Sequence, residues 1–174
     1  MSNILELFKK ITTFIFDVDG VLTDGTILVL EDGLQARRMS IKDGFALQMA
    51  IKNGYRVLVV SGSNSPQVVQ RLDKLGISDV HMSILDKQKF VAEYIEANSL
   101  NAGEILYMGD DLPDMPAMAI IGLPCCPADA VNEVKEAAQY ISPLTGGHSC
   151  VRDVIEKVLK LNDKWQYRID VPSN

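Results

Sequence analysis

Three short apolar runs limit the folds open to this chain more strongly than any other part of its sequence, because acidic or small polar residues follow each one. The runs and their following residues are Thr13–Phe16 before Asp17, Val57–Val60 before Ser61-Gly62, and Ile105–Met108 before Gly109-Asp110-Asp111. Apolar runs of this length without polar alternation are typical of strands buried on both faces. Helical patterns lie between them, which predicts βαβ units around a central parallel sheet.

The helical patterns have recognisable ends. Apolar spacing followed by glycine predicts helices over 43–53 and 65–75, and two more helices are predicted over 2–10 and from 86 or 87 to about 98. Shorter strands are expected near 79–82, 122–125 and 140–141. Between the first strand and the first long helix, Thr26–Leu30 and Ala36–Ile41 flank Glu31-Asp32-Gly33, which predicts a projecting β-hairpin.

Length and composition bound the rest. The chain has 174 residues, which predicts a single domain over 1–174 with a core at 11–161, a hairpin at about 26–41 and a polar tail at 162–174. Hydrophobic residues make up 47% and charged residues 23%, which excludes a disordered chain. No apolar run reaches the length of about 18 residues that a membrane span needs, and the N-terminus lacks a signal-peptide pattern. No membrane partner is therefore expected.

Net charge and cysteine content further limit the expected partners and location of the protein. A net charge of -6 disfavours binding to nucleic acid, which needs a basic surface. The three cysteines, Cys125, Cys126 and Cys150, form neither a disulfide framework nor a zinc-binding spacing. Reduced thiols of this kind predict a cytoplasmic protein.

Polar residues follow the predicted strands at the edge where parallel sheets bind ligands. Asp17 and Asp19 place two carboxylates on one side of the chain as the first strand ends. Two such carboxylates resist double ionisation unless a cation offsets them, and Mg²⁺ with Asp110 as a further ligand suits that need. Lys87 adds a positive charge, and Ser61 with the Gly62 amide adds donors. This set predicts phosphoryl transfer.

The ordered set resembles the haloacid dehalogenase (HAD) superfamily, with its motifs in the segments 17–25, 61–62, 87 and 109–114. The pair of aspartates two positions apart, Asp17 and Asp19, resembles the first motif of the phosphatase branch of that superfamily. The length and order of the motifs resemble the branch without a cap domain, which includes the 3-deoxy-D-manno-octulosonate 8-phosphate (KDO 8-phosphate) phosphatases. The resemblance covers about residues 11–161. It implies an α/β, Rossmann-like three-layer fold with a central parallel sheet, a projecting β-hairpin and no cap domain.

The resemblance also implies roles. Asp17 is expected to be the nucleophile and Asp19 the acid and base, while the Asp17 and Asp110 carboxylates and the Asp19 carbonyl bind Mg²⁺. Ser61 is expected to bind the phosphoryl oxygens and Lys87 to offset their charge. Asp111 and Asp114 are expected to orient metal-bound water, Lys87 or the loop. Residues expected to contact the substrate are Gly62, Asp43, Arg71, Lys74 and Arg152.

The implied substrate is a small sugar phosphate, KDO 8-phosphate, with the nine-carbon KDN 9-phosphate or N-acetylneuraminate 9-phosphate as alternatives. The choice stays open because Ser63 stands where KDO 8-phosphate phosphatases typically have Arg and the KDN relatives can have Glu. A site without a cap is open to water, so the hairpin is expected to join subunits into a homotetramer whose neighbours cover each site. The family it resembles forms such tetramers.

Other functions stay open at this point. One alternative is a HAD phosphatase acting on other phosphate esters. Another is a signalling domain phosphorylated on Asp, as in response-regulator receivers, although there the lysine comes last and here Lys87 precedes Asp110. An inactive homologue is a further alternative, but the chain retains every expected catalytic residue.

Overall fold

Six parallel strands form the centre of the protein in a computed structural model, which describes residues 3–166. They are β1 (Thr13–Phe16), β4 (Arg56–Val60), β5 (Val80–His81), β6 (Ile105–Met108), β7 (Leu123–Cys126) and β8 (Tyr140–Ile141). Their order in the sheet is β5-β4-β1-β6-β7-β8. The chain leaves β1 toward β4 on one side and returns to β6 on the other, so β1 marks the topological switch point.

Helices cover both faces of this sheet because the strands alternate their side chains between two apolar layers. Phe14 and Phe16 pack on one face and Ile15 on the other, and all three are fully buried. One face carries α1 (Ile4–Lys10), α2 (Ile41–Lys52), α3 (Pro66–Lys74) and α7 (Cys150–Leu161), and the other carries α4 (Lys87–Ala97), α5 (Met115–Met118) and α6 (Asn132–Ala137). The predicted α/β fold with a central parallel sheet is confirmed. No helix within residues 3–166 is both long and apolar enough to cross a membrane.

Local capping explains where α4 and α2 begin. The Asp86 side chain accepts from the Lys89 amide at 2.9 Å and starts α4 at Lys87. The Ser40 hydroxyl accepts from the Asp43 amide at 3.3 Å, so α2 begins at Ile41. The predicted hairpin strand ending at Ile41 is therefore wrong in its second half, because Ser40 turns the chain into the helix.

The hairpin itself is short. Its strands are β2 (Leu28–Val29) and β3 (Gln35–Ala36), which pair antiparallel. A separate bridge between Thr23 and Met39 closes its base. Residue 2 of the predicted first helix and residues 167–174 of the predicted tail lie outside the described residues.

Candidate active site

The carboxyl ends of three neighbouring strands bring the predicted site residues together. Asp17 follows β1, Ser61 follows β4, and Asp110 follows β6 after Gly109. A cleft of about 430 Å³ opens at this edge. The predicted residues that line it are Asp17, Asp19, Ser61, Gly62, Lys87, Asp110, Asp111 and Asp114.

Lys87 is the positive centre of this cleft. Its Nζ lies 3.0 Å from Asp17 Oδ1 and 2.7 Å from Asp114 Oδ1, with its side chain only 4% exposed. Burial alone would lower the pKa of Lys87, but the two carboxylates outweigh it and raise the pKa above its ordinary value. Lys87 is therefore a charged ammonium next to Asp17. The start of α4 at Lys87 places it there.

Asp17 lies in an environment that resists its ionisation. It is 8% exposed, and burial followed by the negative charge of Asp114 raises its pKa to about 7. Lys87 and the Val18 amide, which donates to Asp17 Oδ1 at 2.7 Å, oppose that rise. An additional cation would favour the ionised carboxylate.

Asp114 is fully occupied by protein donors. Its Oδ1 accepts from Lys87 Nζ and from the Tyr107 hydroxyl at 2.8 Å, and its Oδ2 accepts from the backbone amides of Asp110 at 3.1 Å and Asp111 at 3.3 Å. These contacts orient Lys87 and hold the loop that carries Asp110. Asp111 is exposed and accepts from the Leu112 amide at 2.7 Å.

The residues present fit a divalent cation. One carboxylate oxygen each of Asp17, Asp110 and Asp114 lies within 4.8 Å of the other two. Asp110 Oδ1 is buried and has no hydrogen-bond partner among the described residues, and burial followed by the charge of Asp17 raises the pKa of Asp110 to about 8. Oxygen ligands and an uncompensated negative charge are what Mg²⁺ requires. Because Asp114 is already saturated, Asp17 and Asp110 are the carboxylates left for the metal.

Glycine at position 20 makes room for the Asp110 carboxylate. A Cβ at Gly20 would lie 2.0 Å from Asp110 Oδ2, and the φ of Gly20 is +87°. Both facts favour glycine, since other residues rarely adopt this conformation. Gly146 packs against the same turn, where a Cβ would lie 1.9 Å from the Gly20 carbonyl oxygen.

Ser61 lies at the floor of the cleft, 1% exposed. Its hydroxyl shares a hydrogen bond of 3.0 Å with the Ser63 hydroxyl and accepts from the Ser63 amide at 3.1 Å. Ser63 also lines the cleft. A hydroxyl pair, in place of a charged side chain, therefore follows strand β4.

Arg37 is a site neighbour that the sequence analysis missed. Its Nε lies 2.6 Å from Asp19 Oδ1, and one terminal nitrogen donates to Asp19 Oδ2 at 3.5 Å. Arg37 follows β3 directly, so the hairpin supplies it. The hairpin sequence offers no motif that would have singled this arginine out.

Four residues predicted to bind substrate do not line the cleft. Asp43 is 1% exposed, and its two oxygens accept from the backbone amides of Ser149 at 3.1 Å and Arg152 at 2.7 Å. Its carboxylate holds the start of α7, so we revise its predicted role from substrate binding to support of the fold. A buried carboxylate suits this position because the two amides need acceptors.

The three predicted cations lie elsewhere on the chain. Arg71 lines a groove beside the hairpin, and Lys74 is exposed in the last turn of α3. Arg152 pairs with Glu156 at 3.0 Å and lies over the Trp165 ring. Contact of these cations with a substrate in a second copy stays a prediction.

Comparison with known proteins gives consistent relatives, although no family model matches the chain. KDO 8-phosphate phosphatase KdsC from Yersinia pestis is 29% identical over 165 residues, which are 95% of this chain and 88% of that protein. The crystal structure of KDO 8-phosphate phosphatase from the same organism superposes with a TM-score of 0.90 over 94% of this chain and 88% of that chain.

Two further structures are similar over nearly the whole chain. A hydrolase from Legionella pneumophila, assigned to subfamily III A of the HAD superfamily, is 32% identical with a TM-score of 0.89, covering 92% of this chain and 88% of its own. KDO 8-phosphate phosphatase from Moraxella catarrhalis, solved with a magnesium ion, a phosphate ion and KDO, is 30% identical with a TM-score of 0.88 and covers 92% of both chains.

Proposed function

Because the chain belongs to the haloacid dehalogenase superfamily, we propose that it hydrolyses the phosphate monoester of a keto-deoxy sugar acid, with KDO 8-phosphate as its substrate. The observation that carries this proposal is the meeting of Asp17, Asp19, Lys87 and Asp110 in one cleft. The set provides a nucleophile, an acid and base, a buried ammonium and a carboxylate left for a metal. The similarity to KDO 8-phosphate phosphatases supports the substrate class.

The proposed reaction has two steps on Asp17. In the first, an Asp17 oxygen forms a bond to phosphorus while the bond from phosphorus to the sugar oxygen breaks, and the Asp19 carboxyl gives its proton to that oxygen. In the second, a water molecule gives a proton to the Asp19 carboxylate and its oxygen bonds to phosphorus while the bond from phosphorus to the Asp17 oxygen breaks, which releases phosphate and restores Asp17. Nucleophile and acid are thus separate side chains two residues apart.

The surrounding residues supply charge and donors for both steps. The Lys87 ammonium, 3.0 Å from Asp17, favours the ionised nucleophile and can offset phosphoryl charge. The Ser61 hydroxyl and the Gly62 amide are the donors proposed for phosphoryl oxygens. Mg²⁺, held by Asp17, Asp110 and the Asp19 carbonyl, would supply positive charge to the phosphoryl group when bound.

Nine-carbon substrates remain the alternative, and Ser63 is the observation that favours keeping them. Ser63 lines the cleft with a hydroxyl and brings neither a positive nor a negative charge to the substrate. A measurement of kcat/KM with Mg²⁺ on KDO 8-phosphate, KDN 9-phosphate and N-acetylneuraminate 9-phosphate ranks the three. A higher kcat/KM on either nine-carbon ester would refute the choice of KDO 8-phosphate.

The class of reaction is tested with Asp17→Asn, which should abolish phosphate release. Near wild-type turnover by this variant would refute Asp17 as the nucleophile. If the wild-type protein with Mg²⁺ turns over no phosphate monoester and Asp17 stays phosphorylated for minutes, the signalling domain becomes the better reading.

The hairpin is proposed to close the site by association of copies. Its apolar side chains are exposed in the single chain, with Leu28 at 64% and Val29 at 68%. Two strands alone are marginal in water, and exposed apolar clusters mark association surfaces. A homotetramer joined through the hairpin would cover these side chains and bring a neighbouring surface over each cleft.

A further inference from the structure

The Asp19 carboxylate is held by one side chain. Among residues 3–166, Arg37 is its only hydrogen-bond partner, through Nε at 2.6 Å to Oδ1 and a weaker contact at 3.5 Å to Oδ2. Asp17, by contrast, is held by Lys87 and by the Val18 amide. Without Arg37, nothing described in the chain would fix the orientation of the Asp19 carboxylate.

Arg37 approaches Asp19 from outside the cleft. Asp19 lines the cleft, whereas Arg37 lines the groove beside the hairpin and the hollow between the hairpin strands. The Arg37 side chain is 6% exposed and that of Asp19 is 33% exposed. Arg37 therefore contacts the carboxylate without being a lining residue of the site, which separates it from a phosphate-binding arginine.

The base of the hairpin determines where Arg37 lies. Met39, two residues further along, forms the bridge to Thr23, whose hydroxyl accepts from the Gly20 amide at 3.3 Å and donates to the Val18 carbonyl at 3.2 Å. The turn that carries Asp19 and the segment after β3 that carries Arg37 are thus joined through Thr23, which is fully buried. A shift of the hairpin would move Arg37 relative to Asp19.

We propose that Arg37 is a positioning residue that orients the Asp19 carboxylate for proton transfer to the leaving oxygen, so that the hairpin takes part in catalysis within its own chain. The inference rests on the proposed function, because it assumes that Asp19 is the acid. The short bond holds Oδ1, whereas Oδ2 has only the weaker contact at 3.5 Å and is the oxygen less restrained for contact with the leaving group. Positioned acids of this kind contribute about 10²–10⁴-fold to rate.

The test compares two substrates of similar shape, phenyl phosphate and 4-nitrophenyl phosphate. Phenoxide is the stronger base and needs a proton as it leaves, whereas 4-nitrophenoxide leaves with little help. We expect Arg37→Met to lower kcat/KM on phenyl phosphate by about 10-fold or more and on 4-nitrophenyl phosphate by less than about 3-fold. Arg37→Lys should recover part of the difference, since lysine keeps the charge without the planar fork.

The ratio of the two kcat/KM values is the decisive readout. A loss of folded protein lowers both values by the same factor and therefore leaves their ratio unchanged. Arg38→Met, at the exposed next position of the chain, serves as the matched control and should keep the wild-type ratio. Asp19→Asn gives the reference ratio for a site without its acid.

The outcomes separate the two proposals. If Asp19→Asn changes the ratio and Arg37→Met keeps the wild-type ratio, the role of Arg37 is overturned while the proposed function stands. If Asp19→Asn itself keeps the wild-type ratio, Asp19 is not the acid and both proposals fail. A changed ratio in Arg38→Met as large as in Arg37→Met would also overturn the specific role of Arg37.

Discussion

At the scale of single residues, the cleft is organised around one buried positive charge. Lys87 contacts Asp17 and Asp114, while Asp110 adds a third carboxyl group nearby. The three acids outnumber the ammonium, which is why burial and mutual repulsion raise the pKa values of Asp17 and Asp110. Because of this imbalance, the cleft should be sensitive to loss of the Lys87 ammonium and should gain stability from an added cation.

Lys87→Met is therefore expected to lose both activity and stability. Removal of one partner from a buried ion pair costs about 3–5 kcal/mol, because it leaves an unpaired charge at Asp114. Phosphate release should fall by about 100-fold or more as the charge next to the nucleophile disappears. Denaturant unfolding and steady-state kinetics measure the two effects. Lys89→Met is the matched control on the same helix, with its side chain 70% exposed, and a comparable loss in that variant would contradict the assignment.

Asp110 is the residue at which the proposed metal site can be tested. Excess Mg²⁺ should raise the melting temperature of the wild-type protein, since a ligand at about 100 times its Kd adds about 2.7 kcal/mol to the free energy of unfolding. Asp110→Asn should melt at or above the wild-type temperature in chelator, because it removes one buried charge, and should respond little to Mg²⁺. Asp111→Asn, with an exposed carboxylate, should keep the response. An unchanged Mg²⁺ response in Asp110→Asn would remove Asp110 from the metal site.

Residues in ordered motifs could be predicted from the sequence, and isolated ones could not. Asp17, Ser61 and Lys87 follow apolar strands or start a helix, so their meeting at one edge follows from the sheet. Arg37 escaped because it contacts Asp19 from a hairpin with no motif of its own. The role of Asp43 could not be predicted because its two carboxylate oxygens accept from backbone amides more than a hundred positions later. No local sequence pattern reveals such a contact.

At the scale of elements, the same physical reason separates what was predicted from what was missed. Buried strands and glycine-terminated helices have local signals, and their observed bounds lie close to the predictions. Helix α7 was not predicted from the sequence, although its buried residues follow helical spacing, namely Val151, Val154, Ile155 and Val158. Its start lacks a side-chain cap and depends on the distant carboxylate of Asp43.

That tie between α2 and α7 predicts a pH dependence. Burial raises the pKa of Asp43 to about 6, although the amides of Arg152 and Ser149 pull it down. Between about 6 and the unfolded value of about 3.9 the folded state binds more protons, so this group adds to the free energy of unfolding as pH falls, by about 3 kcal/mol at most. Its contribution is lost as pH rises through about 6.

Asp43→Asn tests this prediction. The asparagine amide would face one of the two backbone donors, which should cost about 1–3 kcal/mol near neutral pH. The stability gap between wild type and Asp43→Asn should widen as pH falls, measured by denaturant unfolding at several pH values. Asp73→Asn, exposed on α3, should show no such change. A gap that stays constant or narrows toward acid pH would contradict the raised pKa.

At the scale of the whole molecule, the open cleft and the apolar hairpin are both surfaces that association of copies would cover. The cleft holds charged groups that act more strongly when water is excluded. The chain contributes a hairpin with exposed Ile27, Leu28, Val29, Leu30 and Leu34 at that end of the sheet. Arg37 connects this hairpin to Asp19, so association of copies through the hairpin would also hold the Asp19 carboxylate in its position.

Leu28→Glu is expected to separate the copies and to expose the cleft. Light scattering should give the wild-type protein a mass of about four chains of 19.2 kDa and the variant a mass near one chain. A charge on the hairpin opposes burial of its apolar neighbours, so the proposed neighbouring surface would no longer cover the cleft. We therefore expect kcat/KM to fall more on KDO 8-phosphate than on 4-nitrophenyl phosphate. Leu5→Glu, on α1 and 49% exposed, should retain the wild-type mass and activity. A monomeric wild-type protein fully active on a small sugar phosphate would show that the cleft needs no neighbour.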